Sequence, residues 1–203
     1  MSARSSSPRT VPSGDRRRAR GATTRAAVVE ALLALLYEGD LRPTGPRIAA
    51  RAGVSLRSVF QHFADLDALF ATAAERQGER IRALSPPLAV AGTPAARAAA
   101  LAAQRARVFE AIAPVRRAAL LMEPFAPAIA TRLAALRVAQ RRDLRRVFAP
   151  ELARLPAAQR RARLAALAAL CGFSTWHVLR AHQGLGVAAA RQVVTRALAA
   201  LLR

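Results

Sequence analysis

The stretch that most constrains the fold is residues 44–63, Thr-Gly-Pro-Arg-Ile-Ala-Ala-Arg-Ala-Gly-Val-Ser-Leu-Arg-Ser-Val-Phe-Gln-His-Phe. It contains two short helix-forming runs separated by a single glycine. Ile48, Ala49 and Ala52 share an apolar face, and Ala49 is small enough to let two helices cross closely. Gly53 suits the positive φ of a tight turn, and Val54 turns inward after it. Ser55 is placed to cap the second run, in which Val59 and Phe63 recur at i and i+4 toward the same core. An ordinary helical hairpin with Gly53 as its C-cap does not require this combination of small, turn and β-branched positions. The spacing therefore predicts a helix-turn-helix, the geometry that lays a second helix in a DNA major groove.

The other side of that second helix carries the chemistry such a groove needs. Arg57, Ser58, Gln61 and His62 point away from Val59 and Phe63, and each can hydrogen-bond to bases or phosphates. Arg suits guanine and Gln suits adenine, while Leu56 can meet a thymine methyl. The first helix of the pair starts at Thr44 or Gly45, with Pro46 in its first turn, where a missing N–H costs nothing. Its N-terminus can receive a phosphate, with Arg47 placed to help. The candidate DNA contacts are Arg42, Thr44, Arg47, Ser55, Leu56, Arg57, Ser58, Phe60, Gln61 and His62.

Charge supports this reading by location more than by amount. The net charge is +21 and every basic residue is Arg, a bias that points to a GC-rich bacterial genome and weakens raw Arg abundance as evidence. Residues 1–25 carry net +6, residues 26–85 net 0 and residues 86–203 net +15. Between Leu41 and Ala64, Arg42, Arg47, Arg51 and Arg57 stand without an acid, so a locally positive field is expected there. The excess in the second half leaves a second functional class open: a sequence-nonspecific basic nucleic-acid-binding protein driven by charge alone.

Hydrophobic residues make up 53% of the chain, much of it Ala, and no β-rich alternating segment is evident, so the expected class is all-α. Residues 1–22, rich in Ser, Arg, Pro and Gly, are expected to form a disordered basic arm, with Arg16, Arg17, Arg18 and Arg20 available to phosphates or a minor groove. A DNA-binding domain is expected over 23–65 and a helical regulatory and dimerisation domain over 66–203. The first helix is expected over about 23–38, stopped by Gly39. A fourth, capped by Asp65, is expected over about 66–84. Later helices are expected over about 94–112, 114–122, 126–148, 157–183 and 187–202, punctuated by prolines. The arginines of the 126–148 helix read first as a solvated face, and otherwise as a second surface for DNA or an anionic partner.

At residues 24–77 the chain resembles the TetR family of bacterial transcriptional regulators. The resemblance rests on a leading helix, then Arg47-Ile48-Ala49-Ala50-Arg51-Ala52-Gly53-Val54-Ser55, Val59-Phe60-Gln61-His62-Phe63 and Asp67-Ala68-Leu69. It implies a homodimer with an N-terminal three-helix reader and a divergent helical ligand-binding domain. It further implies a repressor that leaves a palindromic operator when a small molecule binds. Two positions depart from the pattern. Phe60 stands where the family often has Tyr, and Leu66 where it commonly has Lys, so two phosphate contacts are missing.

The last two helices are the expected dimer surface. Val187, Val194, Leu198 and Leu201, with Ala190 beside them, form one stripe; Leu164, Leu167, Leu170 and Ala168 form another. Candidate effector-binding residues are Phe109, Leu121, Met122, Phe125, Phe173, Trp176 and His177, with Arg116 and Arg117 suited to an anion. Each could equally be ordinary core or surface. Cys171 is alone, which fits a reducing compartment and a packing role. No secretory h-region or run of about 18 apolar residues is present, so no membrane span and a cytoplasmic location are expected. An enzyme is not expected: there is no Gly-rich phosphate loop or nucleophile elbow. His177 and His182 lie five apart rather than at the four-residue spacing of helical metal ligands. No metal or cofactor is expected.

Overall fold

The computed structural model describes residues 13–203, with side chains from residue 18 onward. Among the described residues helix follows helix and no strand forms, which makes the protein all-α. The chain divides into two compact units, the first ending at Ala73 and the second running Ala74–Arg203. The division falls inside a helix rather than at the expected boundary after residue 65.

The first unit contains α1 (Ser13–Tyr37), α2 (Gly45–Ala52), α3 (Leu56–His62) and the opening turns of α4 (Leu66–Leu84). α1 begins well before the expected residue 23, so the arm expected to be disordered through residue 22 is helical from Ser13. The reason is local: Arg and Ala are good helix formers, and a helix already nucleated by packing elongates at little cost. Thr23 and Thr24 donate their hydroxyls back to the carbonyls of Ala19 and Arg20, as residues inside a helix do. The part of the expected arm before residue 13 lies outside the described residues.

Further along α1, Val28, Val29, Leu32, Leu35 and Leu36 are buried on one broad face. Gly39, at φ 98°, ends the helix, and the Asp40 N–H donates to Leu35 O at 3.0 Å. Gly53, at φ 67°, performs the same service after α2: its N–H reaches Ala50 O and the Val54 N–H reaches Ala49 O. Ile48, Ala49, Val59, Phe63 and Leu69 close the small core between these helices. Asp65 caps α4 by accepting the Ala68 N–H at 2.7 Å.

The second unit is built on α5 (Pro94–Met122), α6 (Pro127–Val147), α7 (Ala149–Ala153), α8 (Ala157–Leu170), α9 (Phe173–His177), a π-helical turn (Val178–His182) and α10 (Val187–Leu201). Where two helices were expected over 94–112 and 114–122, α5 runs unbroken through Pro114. Buried Leu101, Val108, Phe109 and Ile112 before the proline, and Ala118 after it, hold both halves in one helix despite the lost N–H. The helix expected over 157–183 is instead interrupted at Gly172, which precedes α9 with extended backbone. α7, with Pro150 in its first turn, was not anticipated.

Phe109, Leu144, Phe148, Leu167, Trp176 and Leu198 lie in the core of this unit. An ion pair is buried beside it: Arg97, 5% exposed, donates to Val147 O at 2.7 Å and to Glu151 Oε1 at 2.5 Å. The stripe assigned to a dimer partner is largely consumed by the same core. Ala190, Val194 and Leu198 of α10 are buried in a unit where α10 packs on α5 and α8, and Leu164 and Leu167 of α8 belong to the same core. An apolar stripe reports that a helix packs, without saying whether its partner is in the same chain, and here the intramolecular core takes it. No single helix among the described residues is long and apolar enough to cross a membrane. The apolar run spanning α8 and the turns after it is bent by 42°.

Candidate functional site

α3 is short, and its cap and buried side fix it in place. The Ser55 side chain accepts the Ser58 N–H at 3.1 Å, and fully buried Val59 anchors the inner face. Outward, Arg57 and Gln61 are exposed, Leu56 is 40% exposed and Phe60 is 46% exposed. Ser58 and His62 are half-buried, and a Cβ added at Gly21 of α1 would lie 3.7 Å from His62 Cε1, so α1 approaches the end of this helix. The start of α2 lies under the same outward face. A Cβ added at Gly45 would meet Leu56 Cδ1 at 3.0 Å and Phe60 Cζ at 3.5 Å. Gly45 therefore allows the N-terminus of α2 to come up against the apolar residues of α3. Thr44 is exposed and makes no capping bond with its hydroxyl.

The charges around the two helices differ from the acid-free field expected from residues 42–63. Arg47 Nε pairs with Asp40 Oδ2 at 3.1 Å, and Arg51 Nη2 with Glu38 Oε1 at 2.5 Å. Asp40 also accepts the Arg42 N–H at 3.2 Å. The two acids flank Gly39, just upstream of the arginine-rich window, and the turn there brings that window back onto them, a link that linear spacing conceals. The Arg47 pair is solvent-screened, with 63% of the arginine side chain exposed, so it holds Arg47 only weakly. Arg25 is also occupied: its guanidinium lies 4.8 Å from the Phe63 ring centroid and donates to Thr72 Oγ1 at 3.2 Å. Arg42 and Arg57 remain as exposed guanidinium groups with no acid paired to them among the described residues.

In the second unit, four of the candidate effector residues come together. Phe109 meets Phe173 edge-on at 5.6 Å and Trp176 at 6.4 Å, and Phe173 stacks on His177 at 5.8 Å. Phe109 itself is 2% exposed and belongs to the core. The indole N–H of Trp176 donates to Glu110 Oε1 at 2.8 Å, and Arg180 donates to both oxygens of Glu110 at 3.0 and 3.1 Å. Hydrogen bonds from Arg180, more than that from Trp176, hold the Glu110 carboxyl below the usual carboxylate range. Glu110 and Arg180 were not singled out from sequence, since their contact spans two distant helical segments. Leu121 and Phe125, 51% and 80% exposed, and half-buried Met122 sit at the end of α5, apart from this aromatic group in sequence and lining neither of the cavities described next.

Trp176, His177, Glu110 and Arg117 line a cavity of about 250 Å³. A larger one, about 610 Å³, lies between α5, α6 and the α8–α9 segment, with Arg116, Leu120, Arg137 and Phe173 among its walls. Burial chiefly, then the charges of His182 and Arg117, lowers the His177 pKa. His177 and His182 have ring centroids 5.2 Å apart. The five-residue separation that removes two imidazoles from one face of an α-helix brings them together here because the turn between them is π-helical. No group of three or more His, Cys, Asp or Glu side chains converges among the described residues. Burial pushes the Cys171 thiol up to about 12, which suits a packing residue.

The fold is similar to that of a transcriptional regulator from Rhodococcus sp. Rha1, at 20% identity over 90% of this chain and 95% of that one, with a TM-score of 0.66. It is also similar to that of the multidrug binding protein EbrR complexed with imidazole, at 22% identity over 85% of this chain and 93% of that one, with a TM-score of 0.56. No protein-family model and no curated protein matches the sequence.

Proposed function

We propose that this protein is a DNA-binding transcriptional regulator of the TetR type, dimeric and ligand-responsive, that represses until a small molecule releases it from a palindromic operator. The observation that carries this reading is α3: a capped helix, anchored by Val59, that presents Arg57 and Gln61 beside exposed Leu56 and Phe60. That is a mixed polar and apolar face of the kind that reads base edges and thymine methyls. Arg42, Arg57 and the free Thr44 hydroxyl are the phosphate or base contacts not already committed elsewhere. Ser55 serves first as the cap, and Ser58 and His62 contribute at the edge of the reading face. The shared fold with a transcriptional regulator supports the same reading.

Dimerisation through the last two helices requires faces other than the buried stripes. Ala165 and Ala169 on α8, and Ala189, Val193 and Ala200 on α10, are exposed, and their small side chains would permit close helix packing across a two-fold axis. The effector site is the α5, α6 and α8–α9 region, with Phe173 in both cavities.

The experiment is selection of bound sequences from random duplex DNA by the purified full chain at near-physiological salt. The expected result is a palindrome with half-sites centred about one helical turn or a multiple apart. Recovery of DNA without a motif would reject this reading in favour of binding driven by the basic second half.

A further inference from the structure

The cavity of about 610 Å³ has a charge pattern that selects among ligands. Arg116, Arg137 and Arg141 line it together with apolar Leu120, Val138 and Phe173, and no carboxylate is among its lining residues. The three guanidinium groups differ in state. Arg137 is satisfied, donating Nη1 and Nη2 to the two oxygens of Glu123 at 2.7 Å each. Arg141, four residues on along α6, is exposed and has no acid partner among the described residues. Arg116 is half-buried and has neither a hydrogen bond nor an ion pair among the described residues.

Arg116 is therefore the unusual group. Burial chiefly, and then the like charges of Arg137 and Arg132, push its pKa down, with Glu123 only partly opposing them. An arginine stays protonated under such conditions, so the unfavourable charge persists until an anion reaches it. A guanidinium is also the group best shaped to take a carboxylate through two parallel hydrogen bonds. At about 610 Å³ the space exceeds what a small inorganic anion fills, and such an ion would leave Leu120 and Phe173 unused. A neutral apolar molecule would fill the wall and leave Arg116 unmatched.

We infer that this cavity binds an amphiphilic organic anion, with its carboxylate on Arg116 and its apolar body against Leu120 and Phe173. The inference rests on the proposed regulator for its consequence at DNA, while binding itself concerns only the second unit. A second groove, lined by Arg145, Arg160 and Arg161 with Leu152 and Leu164, has comparable charge, but its arginines are exposed and solvated. It serves as the internal control.

The test is calorimetric titration of the full chain with decanoate and with decanol at fixed ionic strength. Decanoate is expected to bind about tenfold or more tighter than decanol, the margin of one charge-assisted hydrogen-bonded contact. Arg116→Gln is expected to bring decanoate down to the affinity of decanol, with Arg116→Lys falling between. Arg160→Gln/Arg161→Gln, which removes charge from the control groove, is expected to leave decanoate binding unchanged. Equal affinity for decanoate and decanol, or an equal loss in the control variant, overturns the inference. If Arg116→Gln does not fold by circular dichroism, the comparison of the two probes on the unaltered chain decides alone. The two readings also fail separately. Decanoate binding in a protein that selects no DNA motif would sink the regulator and keep the cavity, whereas a selected motif without preferential decanoate binding would do the reverse.

Discussion

The two units handle arginine in opposite ways. In the first, net charge near the reader is balanced: Asp40 holds Arg47, Glu38 holds Arg51, and Arg25 lies over Phe63, which leaves Arg57 and Arg42 exposed. In the second, residues 86–203 carry nineteen Arg against four acids, and the acids mostly serve buried or bidentate contacts such as Arg97 with Glu151. Charge density alone would assign DNA to the second unit. The state of each guanidinium points the other way, because discrimination between bases needs a few groups held in fixed geometry, whereas a diffuse excess attracts any phosphate.

The sharpest separation of structural from reading arginines comes from Glu151→Ala. It strands Arg97 in the core and should destabilise the second unit by about 3–5 kcal/mol, the usual cost of breaking a buried pair. Denaturant unfolding followed by the fluorescence of Trp176, the single tryptophan, reads this directly. A loss below about 1 kcal/mol would mean that the pair is solvated like a surface one. In the first unit, Ile48→Ala empties the space between α2 and α3 and should cost about 2–5 kcal/mol, measured as a lowered denaturant midpoint, together with loss of DNA binding.

Arg57→Ala should leave stability alone and cost about 1–3 kcal/mol of binding, concentrated as relaxed preference at one base pair. Uniform weakening on all duplexes would reassign Arg57 to a phosphate. The smallest effect tests the pairing itself. Asp40→Asn keeps an acceptor for the Arg42 N–H but frees Arg47. It should raise affinity for every duplex alike and steepen the dependence of log K on log salt by about one. An unchanged slope would show that Arg47 already reaches DNA despite Asp40.

The difference between the units also governs how much was legible in the sequence. The first unit is specified by local chemistry: Gly53 is demanded by a left-handed turn, Ser55 and Asp65 by exposed helix N–H groups, and all three behave as their residue types require. The start of α1 departs from the expectation, since Ser and Gly suggest a loop while the arginines and alanines around them propagate a helix. In the second unit, packing carries α5 through Pro114, which reads as a break, whereas Gly172 does interrupt a run whose apolar residues read as one helix. The apolar stripe of α10 was legible as a packing surface but not as one buried within the chain. The proximity of His177 and His182 is hidden by α-helical spacing, which the π-helical turn does not obey. Contacts across distant segments, among them Asp40 to Arg47 and Trp176 to Glu110, depend on chain reversal and helix packing that no spacing rule encodes.

The central claim is that α3, and not the basic excess of residues 86–203, determines which DNA is bound. The most direct measurement is the ratio of affinities for a selected palindrome and for the same duplex shuffled, taken at near-physiological salt. The account predicts a preference of at least about 10³, the lower range of specific regulators. A ratio near one, with both affinities falling equally as salt rises, would contradict it and make charge the sole determinant.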